Sequence, residues 1–261
     1  MSVVTACLLA SCFQNETVVH LNKDGSGTVT EETAFGPQSI EMLTQLATLG
    51  GGAGGDPLAN LVSEEKAKQR ATMLGEGVTF EKVEPVSKDG FKGGKVTYRF
   101  ADINKLKLSA DASAKNAIPE MPGAPPQAKK ESTPMTFAYA DGKLAISLPE
   151  PQKQEAPAAE APQPGEIGPD EEAQAKAVMA GMKIAVKLVI EPGISETDAT
   201  HVDGNTIVLT EMDFGKMVEK PGAIQKLAQI GQGNPDAALE AMKQMDGVKV
   251  ETKREIKVTV K

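Results

Sequence analysis

The chain has 261 residues, enough to bury a substantial core, but it contains no Trp, and aromatic residues make up only 3% of it. The core must therefore be built from aliphatic side chains, and the aromatic faces on which bases and sugars stack are scarce. A net charge of -8 argues against nucleic acid as a partner, because phosphate neutralisation requires a basic surface.

Both cysteines, Cys7 and Cys12, lie at the very start of the chain, so its body holds no disulfide framework. They fall in a short apolar run, and Leu9-Ala10-Ser11-Cys12 resembles the bacterial lipobox, in which small residues precede a cysteine that is acylated and becomes the new N-terminus. We therefore predict lipid attachment at Cys12, with residues 1–16 as a signal-like leader and lipobox. Because Phe13 follows and no Asp comes next, the pattern favours the outer membrane in a diderm bacterium.

A secretory leader normally carries Lys or Arg ahead of its apolar run, and none precedes this one. Two interpretations stay open on the sequence alone. Either a basic region is encoded upstream of Met1, or the match to the lipobox is accidental and Cys12 is an ordinary apolar cysteine near a terminus.

The stretch Thr17–Thr33 fits two incompatible structures. As a calcium loop of the EF-hand type it would use Asn22, Asp24, Ser26 and the turn glycine Gly27, but Thr33 stands where a bidentate carboxylate is needed, and Glu32 comes one residue early. As a β-hairpin it would turn at Asp24-Gly25 between two runs rich in β-branched residues. Because calcium loops of this type lie between helices, the flanking strand patterns favour the hairpin.

Four further Asp-Gly pairs, with Asp at 89, 141, 203 and 246, also adjoin strand patterns. Hairpins join antiparallel neighbours, so we predict an α+β fold in which an antiparallel sheet built from Asp-Gly hairpins is covered on one face by helices. The helices expected early in the chain are 37–49 and 57–74. Residues 17–261 then form a single domain, interrupted by a flexible Pro/Glu-rich insertion at 149–169.

The clearest strand pattern closes the chain, from Val248 to Lys261. Even-numbered positions are mostly apolar, whereas odd-numbered positions are charged or polar, which is typical of an antiparallel strand covered on one side. Arg254 interrupts the apolar face and indicates a bulge or the rim of the sheet.

No residue constellation specifies a reaction. The two histidines, His20 and His201, lack convergent carboxylates, and the Ser63-x-x-Lys66 pattern lies on a charged helix without the companion motifs of penicillin-binding enzymes. We therefore predict a protein that is not an enzyme, with no catalytic residue, no cofactor and no metal site.

The lipobox-like cysteine followed by the segment 19–27 resembles the start of small bacterial envelope lipoproteins of the LppM type and their uncharacterised relatives. The segment 98–103, and Ile190-Glu191-Pro192-Gly193 followed by Asp203-Gly204, look like the same pattern, although LppM-like proteins carry a C-terminal membrane helix and this chain has no such apolar stretch before Lys261. The resemblance implies an α+β envelope domain with a lipid-binding role and supplies no catalytic residues.

Together these features predict a membrane-anchored extracytoplasmic lipoprotein, held on the outer side of a bacterial membrane through a lipid on Cys12. Its expected role is non-catalytic binding or scaffolding, with a lipid or another envelope protein as partner. The alternative function is calcium binding through the Asn22–Thr33 loop.

Overall fold

The computed structural model describes residues 13–49, 63–109, 133–149, 172–173, 176–177, 179–230 and 240–261. The predicted insertion at 149–169 lies outside them except for Pro149. The described strands are β1 (Phe13–Leu21), β2 (Gly27–Phe35), β3 (Thr79–Lys88), β4 (Phe91–Phe100), β5 (Lys107–Leu108), β6 (Met135–Ala140), β7 (Lys143–Ser147), β8 (Lys183–Ile190), β9 (Ile194–Thr197), β10 (Val202–Asp203), β11 (Thr206–Asp213), β12 (Val248–Val250) and β13 (Glu255–Val260). Among the described residues, the helices whose two ends are both defined are α1 (Pro37–Leu49), α2 (Glu64–Leu74), α3 (Phe214–Val218), α4 (Ala223–Ile230) and a 3-10 turn (Ile103–Lys105).

The fold is α+β, but its strands form two sheets. The larger has the order β10-β11-β8-β1-β2-β4-β3, with β12 also paired to β11. In it β1 and β8 run parallel, in register from Gln14 opposite Lys183 to Leu21 opposite Ile190. The expectation of a purely antiparallel sheet is therefore wrong, because the long stretch of chain between β1 and β8 provides the crossover that parallel neighbours require.

Tight turns join β3 to β4 and β6 to β7. Asp89 and Gly90 both have positive φ, at 52° and 82°, and so do Asp141 and Gly142, at 51° and 73°. These backbone angles match the type I′ turn, whose twist suits the strands on either side, and Asp followed by Gly tolerates them best.

The large sheet buries one face. Among the described residues, one hydrophobic core joins that face to the second sheet, which has the order β5-β6-β7-β13-β9, and to α2. The second sheet covers the first together with α2, so the covering layer is not made of helices alone. The most buried core side chains include Leu21, Leu74, Phe100, Ile146, Leu188 and Ile256.

Helix α2 begins directly after Ser63, whose Oγ accepts a hydrogen bond from the backbone N–H of Lys66 at 3.4 Å. Ser63 is therefore the N-cap of the helix. The sequence had instead suggested that Ser63 lies in the interior of a helix over 57–74. Gly75 follows Leu74 as the C-cap, and its φ of 136° excludes most other residues. The Ser63-x-x-Lys66 spacing is thus explained by helix capping.

The final strand pattern is split. Residues 248–250 form β12 in the large sheet, and residues 255–260 form β13 in the second sheet. Between them the buried Glu251 carboxylate accepts hydrogen bonds from the backbone N–H groups of Thr200, Thr252 and Lys253 and from the Thr200 hydroxyl. The prediction of a continuous strand over 248–261 is therefore wrong. The Glu251 carboxylate accepts hydrogen bonds from backbone N–H groups that would otherwise pair with a neighbouring strand. Arg254 lies where the chain passes between the sheets.

Candidate functional site

The predicted lipid-attachment residue, Cys12, lies outside the described residues, the first of which is its neighbour Phe13. Phe13 is already the first residue of β1, so residues 13–16, assigned to the leader from the sequence, belong to the large sheet. Phe13 is paired with Phe35 on β2, and the centroids of the two rings are 5.4 Å apart. A lipid on Cys12 would therefore be one peptide unit from the folded domain, since consecutive Cα atoms are about 3.8 Å apart.

Around Phe13, five neighbouring strands of the large sheet meet at one end. Lys92 is paired with Phe35, Phe91 with Lys88, and Lys183 with Gln14. Phe214, which opens α3, donates its backbone N–H to the carbonyl of Met182 at 3.0 Å, next to Lys183. We call this set the Phe13 end, defined by Phe13, Phe35, Lys88, Phe91, Lys92, Lys183 and Phe214.

The Phe13 end concentrates a residue type that the chain otherwise uses sparingly. The chain has seven phenylalanines, and this end holds four of them, at positions 13, 35, 91 and 214. Phe13, Phe91 and Phe214 are only half-buried. Local sequence patterns did not reveal this grouping, because the four residues come from separate elements and only the register of the strands brings them together.

At the opposite end of β1 lies the connection from Asn22 to Ser26. The Oδ1 atom of Asp24 accepts hydrogen bonds from the backbone N–H of Ser26 at 3.0 Å and from its hydroxyl at 2.6 Å. These two bonds hold the pKa of the Asp24 carboxyl below its usual value. The side-chain amide of Asn22 donates to the same hydroxyl at 3.1 Å. The polar side chains of the turn thus bond one another.

This geometry does not assemble the ligands proposed for calcium. The loop is flanked by strands on both sides, and Glu32 lies on β2, opposite Lys95 of β4. At a strand rise of about 3.3 Å per residue, Glu32 is roughly 20 Å from Ser26, too far to share a cation with it. In the described part of the chain no group of three or more His, Cys, Asp or Glu residues is arranged to hold a metal ion.

The inner face of the large sheet contains a buried charged pair that sequence analysis did not anticipate. Arg70 of α2 donates from Nη2 to Glu31 Oε1 at 2.8 Å and from Nε at 3.2 Å, and the two side chains are 8% and 14% exposed. The Tyr98 hydroxyl also hydrogen-bonds Glu31, and burial together with that carboxylate raises the pKa of Tyr98 well above its usual value. Nearby on the same face, Asn15 donates to the Thr33 hydroxyl at 2.9 Å.

Every buried side-chain nitrogen or oxygen in the described residues has a hydrogen-bond partner. The pair formed by Glu31 and Arg70 is therefore a satisfied structural contact that joins α2 to the sheet. Arg70 is one of five charged residues among the eleven of α2, and only its place above β2 makes it a partner of Glu31.

An open depression of about 840 Å³ lies on the second sheet. Its floor includes Ala138 and Ala145, which face each other across β6 and β7, and Lys257 pairs with Ala145 from the other side. These residues alternate with the buried Leu144 and Val258, so the depression is on the face away from the core.

The two histidines occupy different environments. His20 Nδ1 is 2.7 Å from Glu191 Oε1 in an exposed pair that links the ends of β1 and β8. His201 lies before β10, and its backbone carbonyl accepts a hydrogen bond from Val208. His20 thus has a local structural partner.

No helix in the described residues is long and apolar enough to cross a membrane. The sequence matches no protein-family model, and no curated protein matches it. The structure is similar to the NMR structure of the folded domain of the Mycobacterium tuberculosis LppM protein, with a TM-score of 0.32 and 7% sequence identity over 78% of this chain and 84% of that one. At that score the likeness is a distant one.

Proposed function

We propose that this protein is an extracytoplasmic bacterial lipoprotein, anchored through a lipid on Cys12, whose folded part is a non-catalytic binding or scaffold domain. The observation that carries the proposal is the placement of the lipobox-like Leu9-Ala10-Ser11-Cys12 immediately before the first strand, which begins at Phe13. If Cys12 becomes the N-terminus, the mature chain loses the apolar leader and keeps the whole of β1. The register of β1 with both β2 and β8 is then preserved.

The anchor is tested by expression in a bacterial host with a radiolabelled fatty acid. The expected result is label on the protein and its recovery in the membrane fraction. Cys12→Ala should abolish both. The chain offers a matched control in Cys7→Ala, which removes the other cysteine of the same leader and should change neither result. Labelling or membrane retention of the Cys12→Ala chain would contradict the proposal.

The binding role has a separate test. The proposed partners are a lipid ligand or another envelope protein. Native mass spectrometry of the purified Cys12→Ala chain tests for the lipid, and crosslinking in intact cells tests for the protein. A mass increment that disappears on extraction with organic solvent identifies a bound lipid. A second polypeptide recovered by crosslinking in intact cells identifies a protein partner, and scaffolding then replaces lipid binding as the role.

A further inference from the structure

The depression on the outer face of the second sheet has an apolar floor and polar sides. Ala138 and Ala145 form the floor, where each strand contributes only a methyl group. On one side the 3-10 turn lies against β6, since the Asn104 side chain donates to the Tyr139 carbonyl at 3.2 Å and accepts the Tyr139 N–H at 2.6 Å. On the other side Glu196 lines the depression from the edge strand β9. A narrow ligand can therefore lie directly against the strands between these sides.

Two of the charged residues that line the depression already have partners. Lys257 Nζ is 3.5 Å from Glu255 Oε1, and Asp198 Oδ1 accepts the backbone N–H of Lys257 at 2.8 Å. Lys253 also donates to the carbonyl of Asp198. In the described part of the chain, the ionisable lining side chains left without a hydrogen bond or an ion pair are Asp141, Lys143 and Glu196. Groups of both signs are thus available to a ligand.

Lys143 and Glu196 lie in one row across the sheet. Lys143 is paired with Thr259 of β13, and Thr259 is paired with Glu196 of β9. Because neighbouring strands are about 4.8 Å apart, the Cα atoms of Lys143 and Glu196 are separated by about 10 Å. That distance is the length of about three extended residues. A ligand with an anionic end and a cationic end at this separation matches the row.

We propose that the depression binds a short peptide of about three residues through its free termini, with the carboxylate at Lys143 and the ammonium at Glu196. This inference deepens the binding role proposed above and rests on it, but it makes no use of the lipid anchor. A simple anion would meet the Asp141 carboxylate two residues from Lys143, and a simple cation would meet the Lys143 ammonium. A ligand that carries both charges pairs with both signs, and its main chain lies on the alanine floor.

The test is an NMR titration of the full chain, carried as Cys12→Ala, with trialanine. Trialanine has both charged termini, and its methyl side chains suit the shallow floor. Its addition should shift the backbone amide signals of residues 138–145 and of Glu196 saturably, at concentrations up to about 10 mM. N-acetyl-trialanine amide has the same backbone without either charge, and it should leave these signals in place.

Charge variants identify the groups that hold the peptide. Lys143→Met and Glu196→Gln should each raise the Kd about fivefold, the factor that corresponds to about 1 kcal/mol for an exposed ion pair. Lys107→Met is the matched control, because Lys107 is an exposed lysine of β5 that does not line the depression. Lys143→Glu should abolish the shifts, and combining it with Glu196→Lys should restore most of the affinity, because the peptide then binds in the reverse direction.

Four results would overturn the inference. Trialanine without effect on these signals would mean that the depression binds no such peptide. Equal shifts with the blocked peptide would remove the role assigned to the charges. Shifts without peptide that grow with protein concentration would show that a second copy covers this face. Signals of residues 150–169 that move when Lys143→Glu is introduced without peptide would show that this segment occupies the depression.

The acylation experiment is independent of this one. Failure of lipid attachment at Cys12 would refute the proposed anchor and leave the titration unchanged, because the titrated chain carries no lipid. Failure of the titration would refute the peptide site and leave both the anchor and the search for a lipid or protein partner standing.

Discussion

Replacing Arg70 with methionine removes the guanidinium from the Glu31 carboxylate and keeps much of the apolar volume of the side chain. Both groups are almost enclosed, with side chains 8% and 14% exposed, so Glu31 would be left as a buried charge with only the Tyr98 hydroxyl as a described partner. Breaking a buried pair in this way costs about 3–5 kcal/mol. The remaining Tyr98 bond and the slight exposure of Glu31 place the expected loss near the lower limit, at about 3 kcal/mol.

The assay is urea and thermal unfolding followed by circular dichroism, in chains that carry Cys12→Ala so that no lipid contributes. A loss of about 3 kcal/mol corresponds to roughly 6–12 °C in Tm for a chain of this size. Adding Glu31→Gln to Arg70→Met removes the uncompensated charge and keeps an acceptor for Tyr98, so it should restore about 2 kcal/mol.

The matched control is Arg99→Met, since the ion pair of Arg99 with Glu81 has side chains 64% and 34% exposed. Exposed pairs contribute at most about 1 kcal/mol, so this variant should unfold close to the parent chain. The argument from burial is refuted if Arg70→Met costs no more than Arg99→Met, or if Glu31→Gln restores nothing.

Three further predictions concern other parts of the fold. Burial alone would raise the pKa of Glu251, but its hydrogen bonds to backbone N–H groups lower it on balance. A carboxyl whose pKa is lower in the folded state than in the unfolded chain stabilises the fold at a pH above the unfolded-state pKa, which is about 4.3. That stabilisation is lost as the pH falls through the folded-state pKa. Glu251→Gln should therefore cost about 2 kcal/mol in urea unfolding at pH 7 and much less at pH 3, whereas Glu255→Gln, at an exposed site, should change neither. A Cβ at Gly27 would lie 1.9 Å from the His20 carbonyl oxygen, so Gly27→Ala should lower Tm by several degrees, more than Gly204→Ala, where nothing lies within 4 Å and only the φ of 60° resists the change. Calorimetry with millimolar calcium should give no binding heat, and a heat that Asp24→Asn abolishes would reinstate the calcium loop.

Some features of the fold followed from local patterns. The alternation in the segment 183–190 predicts one face made of Ile184, Val186, Leu188 and Ile190, because side chains of a strand alternate with a period of two residues. The structure buries the last three of these and leaves Ile184 half-buried. Pro37 correctly marked the start of α1, since proline suits the first turn of a helix. Each of these signals lies within a few residues of the structure it specifies.

The contents of the candidate site could not be obtained in this way. Nothing near Phe13 in the sequence indicates that Phe91 and Phe214 lie at the same end of the sheet. Their grouping depends on the pairing of β2 with β4 and on the hydrogen bond between Phe214 and Met182. The sequence did indicate Cys12 as the attachment point, and that remains a prediction for the acylation experiment.

The amino-acid sequence by itself determined the α+β class, the positions of most described strands and the polar character of their exposed faces, since all of these depend on periodicity and turn chemistry along the chain. Only the tertiary structure decided that β1 pairs in parallel with β8, that Arg70 meets Glu31, and that the chain leaves one sheet for the other at Glu251. The physical reason is separation along the chain. Glu251 follows an apolar alternation that would continue as a strand, and it is the distant Thr200 N–H, fifty-one residues away, that helps its carboxylate end the ladder there.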